Sequence, residues 1–369
     1  MAIRGRLRLY FKRFCISINA VISILFLIAC LAPYITTSDW PSLGFFGLAF
    51  PYLATFLLLF IFFWLILNAK WSILSIVTLL IGWKQLSIVF AVHKYEAFVE
   101  KKESTNIRIL DWNIRSLEGV SSKADKKRTD RVAIPATIIE QNADIVCLQE
   151  FNNSLQQNNV EPLRKKYPYY FFSRDFSLNK KAYQAGAIIF SKYPIVDSGR
   201  IIYPGTSSES LIYADIKTPD KVIRVFTTHL QSFKFKPEDY EDIEQIKSND
   251  ENAILASKSL FQKMKIAYKI RGIQAQIVRK ELDQSPYPAL ICGDFNDVPN
   301  SYTYFQIRKD WQDAFLSTSF GIGRTYLAIA PTLRIDYILA DNNFIIKQFD
   351  LVDEVLSDHL MIVADISIR

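Results

Sequence analysis

The chain has 369 residues, half of them hydrophobic, and a formal net charge of +7. The length suits two units rather than one, and they differ: residues 1–100 hold eight Lys/Arg and three Asp/Glu, which leaves 36 and 34 in residues 101–369. A near-neutral second unit argues against a domain built chiefly to grip nucleic-acid backbone. Four scattered cysteines give no disulfide framework, and the twelve glycines form no phosphate-cradling nucleotide loop.

In chain order, apolar stretches come first. Residues 14–35 run 22 positions without a charge and residues 43–67 run 25, and a spanning helix needs about 20. A third stretch, 71–92, is interrupted by Lys84 and Gln85. It either spans with those groups turned toward neighbouring helices or lies in the interface. The first stretch is long for a signal-peptide core and a second follows at once, so both read as retained spans.

Arg4, Arg6, Arg8, Lys12 and Arg13 precede the first span and predict a cytoplasmic N-terminus. The loop 36–42 carries Asp39 and no Lys or Arg, which suits the far side, and Lys70 marks the return. With three spans, residue 101 onward lies outside the cytoplasm, the arrangement expected here; with two it lies inside. Residues 1–100 are thus expected to form an integral membrane anchor of two to three helices (about 14–35, 43–67 and 71–92), in a bacterial-type inner or plasma membrane. The lipid bilayer is its partner.

The period then changes. Short apolar runs at 107–114, 144–148, 169–172, 187–191, 211–216 and 222–228 read as strands, and 131–141 reads as a helix. One or two helices are expected over 252–282, then strands at 289–292, 336–340, 344–349 and 359–368. Cys147 and Cys292 fall inside strands and read as small core residues. Many strands with few helices predict an α/β fold with two sheets packed face to face and helices outside, over 101–369.

Polar clusters sit at the ends of these runs: Trp112-Asn113, Gln149-Glu150, Thr228-His229, Gly293-Asp294-Phe295-Asn296 and Ser357-Asp358-His359. Arg334-Ile335-Asp336 opens another strand. Each alone is what a turn or helix cap looks like. Together they supply carboxylates, carboxamides and two of the chain's three histidines, the parts of a hard-metal phosphoesterase. The third, His93, ends the third apolar stretch and reads as interfacial. Carboxylates gathered this closely repel one another unless a cation joins them.

With WNI (112–114), LQE (148–150), GAIIFSKYPI (186–195), THL (228–230), GDFN (293–296), RIDYI (334–338) and SDH (357–359), the chain resembles the endonuclease/exonuclease/phosphatase superfamily. The resemblance covers roughly 105–369. It implies a four-layer α/β sandwich, two mostly antiparallel sheets flanked by helices, here preceded by transmembrane helices. By motif position it implies Glu150 as the main metal-binding carboxylate, with Asn113 beside it and Asp358 as a further ligand or as the holder of a metal-bound water, and Mg²⁺ or Mn²⁺ as the ion. Asp294 would orient and deprotonate the attacking water, and Asn296 would help to place it. His359 would contact the scissile phosphate with Asp336 fixing its tautomer, and His229 would face the phosphate too.

One departure is an insertion over about 233–268 that begins Ser-Phe-Lys-Phe-Lys. It is either a solvated elaboration or a lip that meets lipid through Phe233 and Phe235. The function expected is a membrane-anchored, metal-dependent phosphoesterase acting on a phosphate ester or diphosphate, such as a lipid-linked phosphate. A nuclease is the first alternative, with Lys123, Lys126, Lys127 and Arg128 as a possible basic patch. A non-catalytic membrane binding module on the same fold is the second.

Overall fold

The structure is a computed structural model and describes residues 2–94, 96–119, 124–205, 209–236, 238–239, 243 and 253–369. Helices α1 (Ala2–Leu31) and α2 (Leu43–Leu67) form an antiparallel hairpin in which Phe26 stacks on Phe50 at 4.9 Å. Both are long and apolar enough to cross a membrane. At 1.5 Å per residue, α2 reaches about 37 Å, beyond the roughly 30 Å of a hydrocarbon core. Phe56, Phe62 and Ile66 point outward from it, as expected of a helix that is apolar all round.

The third apolar stretch is not one straight helix. It breaks at Gly82 into α3 (Ser72–Ile81) and α4 (Trp83–Val89), and the pair Ala69–Ile81 and Trp83–Val89 is bent by 68°. The bend buries Gln85, whose Nε2 donates to Cys30 O at 3.2 Å and to Tyr34 OH at 3.3 Å. An amide in a straight span would need such partners in hydrocarbon. Two helices, or three if the bent pair counts as one, could therefore span.

The remainder is a sandwich. Its strands are β1 (Ala91–Val92), β2 (Ile107–Asn113), β3 (Ile145–Ser154), β4 (Tyr169–Phe172), β5 (Phe176–Leu178), β6 (Tyr183–Ser191), β7 (Ile195–Ile202), β8 (Ser210–Lys217), β9 (Val222–His229), β10 (Ala289–Asp294), β11 (Gln312–Asp313), β12 (Phe320–Gly321), β13 (Asp336–Ala340), β14 (Phe344–Val352) and β15 (Met361–Ile368). One sheet runs β14-β15-β2-β3-β6-β4, with β5 also on β6, and the other runs β11-β13-β10-β9-β8-β7. β1 and β12 pair apart. Among the described residues, only β2 with β3 and β9 with β10 are parallel; each is the central pair of its sheet.

Strand alternation builds the layers. Ile145 and Cys147 face the inter-sheet core with Val225, Leu290 and Cys292, while Val146 and Leu148 face outward onto Ile134 and Ile138 of α5 (Ala124–Glu140). On the other side, Phe226 and Ile291 pack on Ala275, Val278 and Leu282 of α7 (Ala253–Asp283). Both faces of the central strands are buried, which is why they read as continuous apolar runs. The fold is thus the expected four-layer α/β sandwich after N-terminal apolar helices. Cys147 and Cys292 are free and buried.

The edge strand β7 escapes the sequence reading. It carries Asp197, Ser198 and Arg200, because an edge is half solvated and needs no apolar run. The short helices α6 (Glu161–Arg164), α8 (Tyr302–Arg308) and α9 (Ala314–Thr318) lie in what reads as loop.

The hairpin packs tightly on the sandwich. A Cβ on Gly47 of α2 would lie 2.4 Å from the backbone oxygen of Asn300, so only glycine permits this approach. Asn300 Nδ2 donates to Ala29 O at 2.9 Å, Phe45 stacks on Phe261 at 4.3 Å, and Arg334 Nη2 donates to Ile88 O at 2.7 Å. These contacts involve the end of α1, the start of α2 and, through Ile88, helix α4. Lys12, with its Nζ 5.9 Å from the Trp71 ring, marks the opposite end of the hairpin.

Candidate active site

The two parallel pairs end side by side, and each C-terminal edge delivers polar side chains. Asn113 is in register with Gln149, His229 with Asp294, and Asp294 with Asp336 on β13. Glu150 sits in a β-bulge between Leu148 and Phe151 with φ at 52°. A bulge re-aims a side chain, and here the carboxylate leaves the strand and lines a cavity of about 530 Å³. Gly293 has φ at 144°, and a Cβ there would lie 2.1 Å from Thr228 O. Glycine lets β9 and β10 close up and sets His229 beside Asp294.

Asp294 is the hub. It is buried, its Oδ1 accepts the Asn296 N–H at 2.7 Å, and its Oδ2 accepts Asn113 Nδ2 at 3.1 Å. His229 Nε2 is 3.6 Å and His359 Nε2 3.8 Å from that Oδ2. Asn113 Nδ2 also donates to Glu150 Oε1 at 3.3 Å, and its carbonyl accepts the Arg115 N–H. His359 Nδ1 lies 3.0 Å from both oxygens of Asp336. Asn296 donates to Leu230 O. Asp358 faces the cavity with Arg115 Nε at 3.8 Å. All eight residues singled out in the sequence therefore gather at one end of the sandwich.

The electrostatics follow from burial and crowding. Burial, reinforced by Asp336, pushes the Asp294 carboxyl up to about 6, against the pull of His359 and His229. For His359, burial lowers the pKa, but the Asp336 and Asp294 carboxylates outweigh it and push the imidazole up to about 10.

A divalent cation fits this donor set. Glu150 and Asp358 turn carboxylates to the same cavity as the buried Asp294, Asn113 lies in hydrogen-bond contact with Glu150, and the strained backbone at Glu150 is what brings its carboxylate there. Net negative charge in a partly buried, oxygen-rich site suits a hard ion. A second cluster, Asp111, Cys147 and Cys292, is sealed in the inter-sheet core. There Asp111 Oδ1 accepts Gln149 Nε2 at 2.7 Å.

Four site residues go unassigned in the sequence reading. Arg115, directly after WNI, lines the cavity; its place beside that motif is a signal. Tyr326 sets its ring 4.8 Å from that of His359, and nothing local in the sequence marks it. Arg271 is fully buried between the rings of Phe233 and Tyr268, at 4.6 and 4.7 Å, and donates to Asn296 O. Leu48 comes from α2, and a uniformly apolar helix gives no hint of lining a polar cavity. Of the inserted segment, Phe233 and Phe235 are described and stack at 5.2 Å; residues 237, 240–242 and 244–252 lie outside the described residues, as do Lys123 and the side chains of Lys126, Lys127 and Arg128. His93 is exposed, and its backbone N–H donates to Ser319 O.

The profile of the endonuclease/exonuclease/phosphatase family matches residues 112–359, more than half of the chain. The chain belongs to the endonuclease/exonuclease/phosphatase family. It is accordingly a metal-dependent phosphoric ester hydrolase by family. Residues 12–89 match a domain of unknown function, DUF8431. No curated protein matches in sequence. Among solved structures, an endonuclease/exonuclease/phosphatase from Beutenbergia cavernae is similar at 19% identity and TM-score 0.50, covering 72% of each chain. The human Nocturnin catalytic domain with bound sulfate is similar at 17% identity and TM-score 0.50, covering 72% of this chain and 94% of that one. These likenesses bear on the fold.

Proposed function

We propose that the protein is a membrane-anchored phosphoesterase that hydrolyses a phosphate ester or diphosphate at the bilayer surface, with a lipid-linked phosphate as substrate. One observation carries this reading: a single cavity is lined both by Asp294, His229 and His359 and by Leu48 of the apolar helix α2. In this reading residues 1–100 are the anchor and 101–369 the catalytic domain. The sandwich packs at the end of the hairpin away from Lys12, which together with the positive-inside bias supports a catalytic domain outside the cytoplasm.

Glu150, Asn113 and Asp358 would hold Mg²⁺ or Mn²⁺. The bound ion supplies charge neutralisation at a phosphoryl oxygen. Asp294, with its carboxyl near 6, is a competent base for a water proton at neutral pH. Asn296, fixed on Leu230 O, orients that water. His359, kept protonated by Asp336, donates to the phosphate, and His229 faces it from the other side of Asp294. In-line attack then needs only the positioning that these fixed strand ends provide. A nucleic-acid substrate rests on family membership, without a structural feature of its own among the described residues.

The test is hydrolysis by the full chain in detergent, with Mg²⁺, Mn²⁺ or EDTA, of a polyprenyl diphosphate, a generic phosphodiester and plasmid DNA. EDTA-sensitive turnover that drops at least about 100-fold in both Glu150→Ala and His359→Ala is expected, with the lipid preferred. Preference for DNA would replace the lipid reading. Folded, metal-loaded protein inert on all three would overturn it.

A further inference from the structure

Beside its polar groups, the cavity has apolar walls, although Lys234 and Ser232 flank the aromatic pair Phe233 and Phe235. Leu48 packs with Val298, Leu333 and Ile335, and one turn further along α2 the Tyr52 hydroxyl is 3.3 Å from Thr332 Oγ1. On one flank Phe233 and Phe235 stack, and the buried Arg271 guanidinium clamps Phe233 while donating to Asn296 O. On the other flank Ile329 is exposed with φ at 67°, a conformation a β-branched residue adopts only under constraint. So the aromatic flank is fixed to the loop that carries Asn296, and helix α2 contributes Leu48 to the same cavity.

We infer that α2 is a wall of the substrate site: the hydrocarbon chain of the lipid phosphate lies against Leu48, Leu333 and Ile335 and passes along α2 into the bilayer. This deepens the phosphoesterase reading and rests on it. The chemistry selects the occupant. A sugar or nucleoside placed against Val298, Leu333, Ile335 and Leu48 would lose water without gaining hydrogen bonds there, which is costly. An alkyl chain gains about fourfold in affinity for each methylene it buries. The path also has a direction, because the helix that lines it is long and apolar enough to span a membrane. A chain seated on it need never cross water between bilayer and site. The seat exists only when the anchor is docked, so the hairpin is part of the binding site as well as a tether.

The experiment measures binding of methyl, butyl and octyl phosphate to the Mg²⁺-loaded full chain in nanodiscs by calorimetry, and compares wild type with Leu48→Trp and Leu48→Ala. Leu48→Trp fills the seat and Leu48→Ala strips its wall while disturbing the helix least. Expected is octyl phosphate binding at least tenfold weaker in Leu48→Trp and about fourfold or more weaker in Leu48→Ala, with methyl phosphate, which does not reach α2, bound alike by all three. Equal weakening of all three ligands, or no change in either variant, would overturn the inference; if Leu48→Trp fails to fold, Leu48→Ala alone decides. Wild type that binds no alkyl phosphate at all, methyl included, would sink the phosphoesterase reading instead. Wild type that binds methyl and octyl phosphate with equal affinity would sink only the chain seat.

Discussion

Asn113 ties the two sheets together at the site: from the end of β2 its Nδ2 donates to Asp294 Oδ2 across the sandwich at 3.1 Å and to Glu150 Oε1 on its own sheet at 3.3 Å. One amide thus sets the spacing of two carboxylates that sit on different sheets and would otherwise repel. Asn113→Ala removes the bridge without a large cavity. Metal affinity should fall about 10–100-fold, the range seen when groups that orient ligands are lost. Titration of the apoprotein with Mn²⁺ checks this, and unchanged affinity would remove Asn113 from the metal site.

Asp336 and His359 make a pH prediction. The imidazole is pushed up to about 10 because Asp336 and Asp294 outweigh burial. A histidine whose folded pKa exceeds its ordinary value of about 6.5 contributes stability that is fully present below that value. The contribution is lost as pH rises through about 10. Asp336→Asn keeps the shape and deletes the leading attraction, so burial pulls the imidazole down. The basic limb of the kcat/KM profile should move at least one pH unit lower, with the metal held saturating. NMR titration of His359 in the apoprotein should move the same way. A shift toward higher pH would contradict the assigned roles.

How much of this was legible in the sequence depends on where each residue sits. Central strands announce themselves: buried on both faces, β3, β9 and β10 carry largely apolar runs, so the polar residues that follow those runs stand out. That contrast made Glu150, His229 and Asp294 visible. Elements that are half solvated or held by distant partners do not. β7 carries charges because its edge is wet, and Arg271 looks like any basic residue on a long helix until Phe233 and Tyr268 are seen on its two faces. Leu48 is hidden for a different reason: its role depends on docking between the hairpin and the sandwich, and periodicity within one helix carries no record of that contact. The break at Gly82 was foreshadowed by Lys84 and Gln85, but its angle depends on Cys30 O and Tyr34 OH, which lie on another helix.

Arg334 predicts how far stability depends on that docking. Its Nη1 donates to Asp313 Oδ2 at 2.8 Å and its Nη2 to Ile88 O at 2.7 Å, with both charged groups buried. Arg334→Met leaves Asp313 buried without its cation, a loss of about 3–5 kcal/mol. Arg334→Lys keeps the charge but cannot span both partners, since an ammonium lacks the planar fork. Thermal melts in detergent should rank wild type above Lys above Met. Limited proteolysis should also cut between residues 89 and 107 sooner in both variants. Equal protection of that segment in all three would mean that Ile88 does not depend on Arg334.

Gly293 gives the sharpest test of how the backbone makes the site. A methyl group there would sit 2.1 Å from Thr228 O, and φ at 144° is unfavourable for any side chain. Because Gly293 is in register with Thr228, one position before the His229–Asp294 pair, Gly293→Ala must either push β9 from β10 or rotate the peptide that leads into Asp294. Both outcomes move Asp294 relative to His229, now 3.6 Å away. The strain costs about 1–3 kcal/mol, which a melt would show. Activity should fall much further than stability, by about 100-fold or more, since misplacement of about 1 Å at a reacting centre costs that much. Ala289 opens the same strand, is also buried and carries a Cβ already, so Ala289→Gly is the control. It should lower stability by about 0.5–1 kcal/mol while the folded protein keeps its turnover. If Gly293→Ala lost activity only in proportion to its unfolded fraction, the glycine would serve the fold and not the geometry of Asp294.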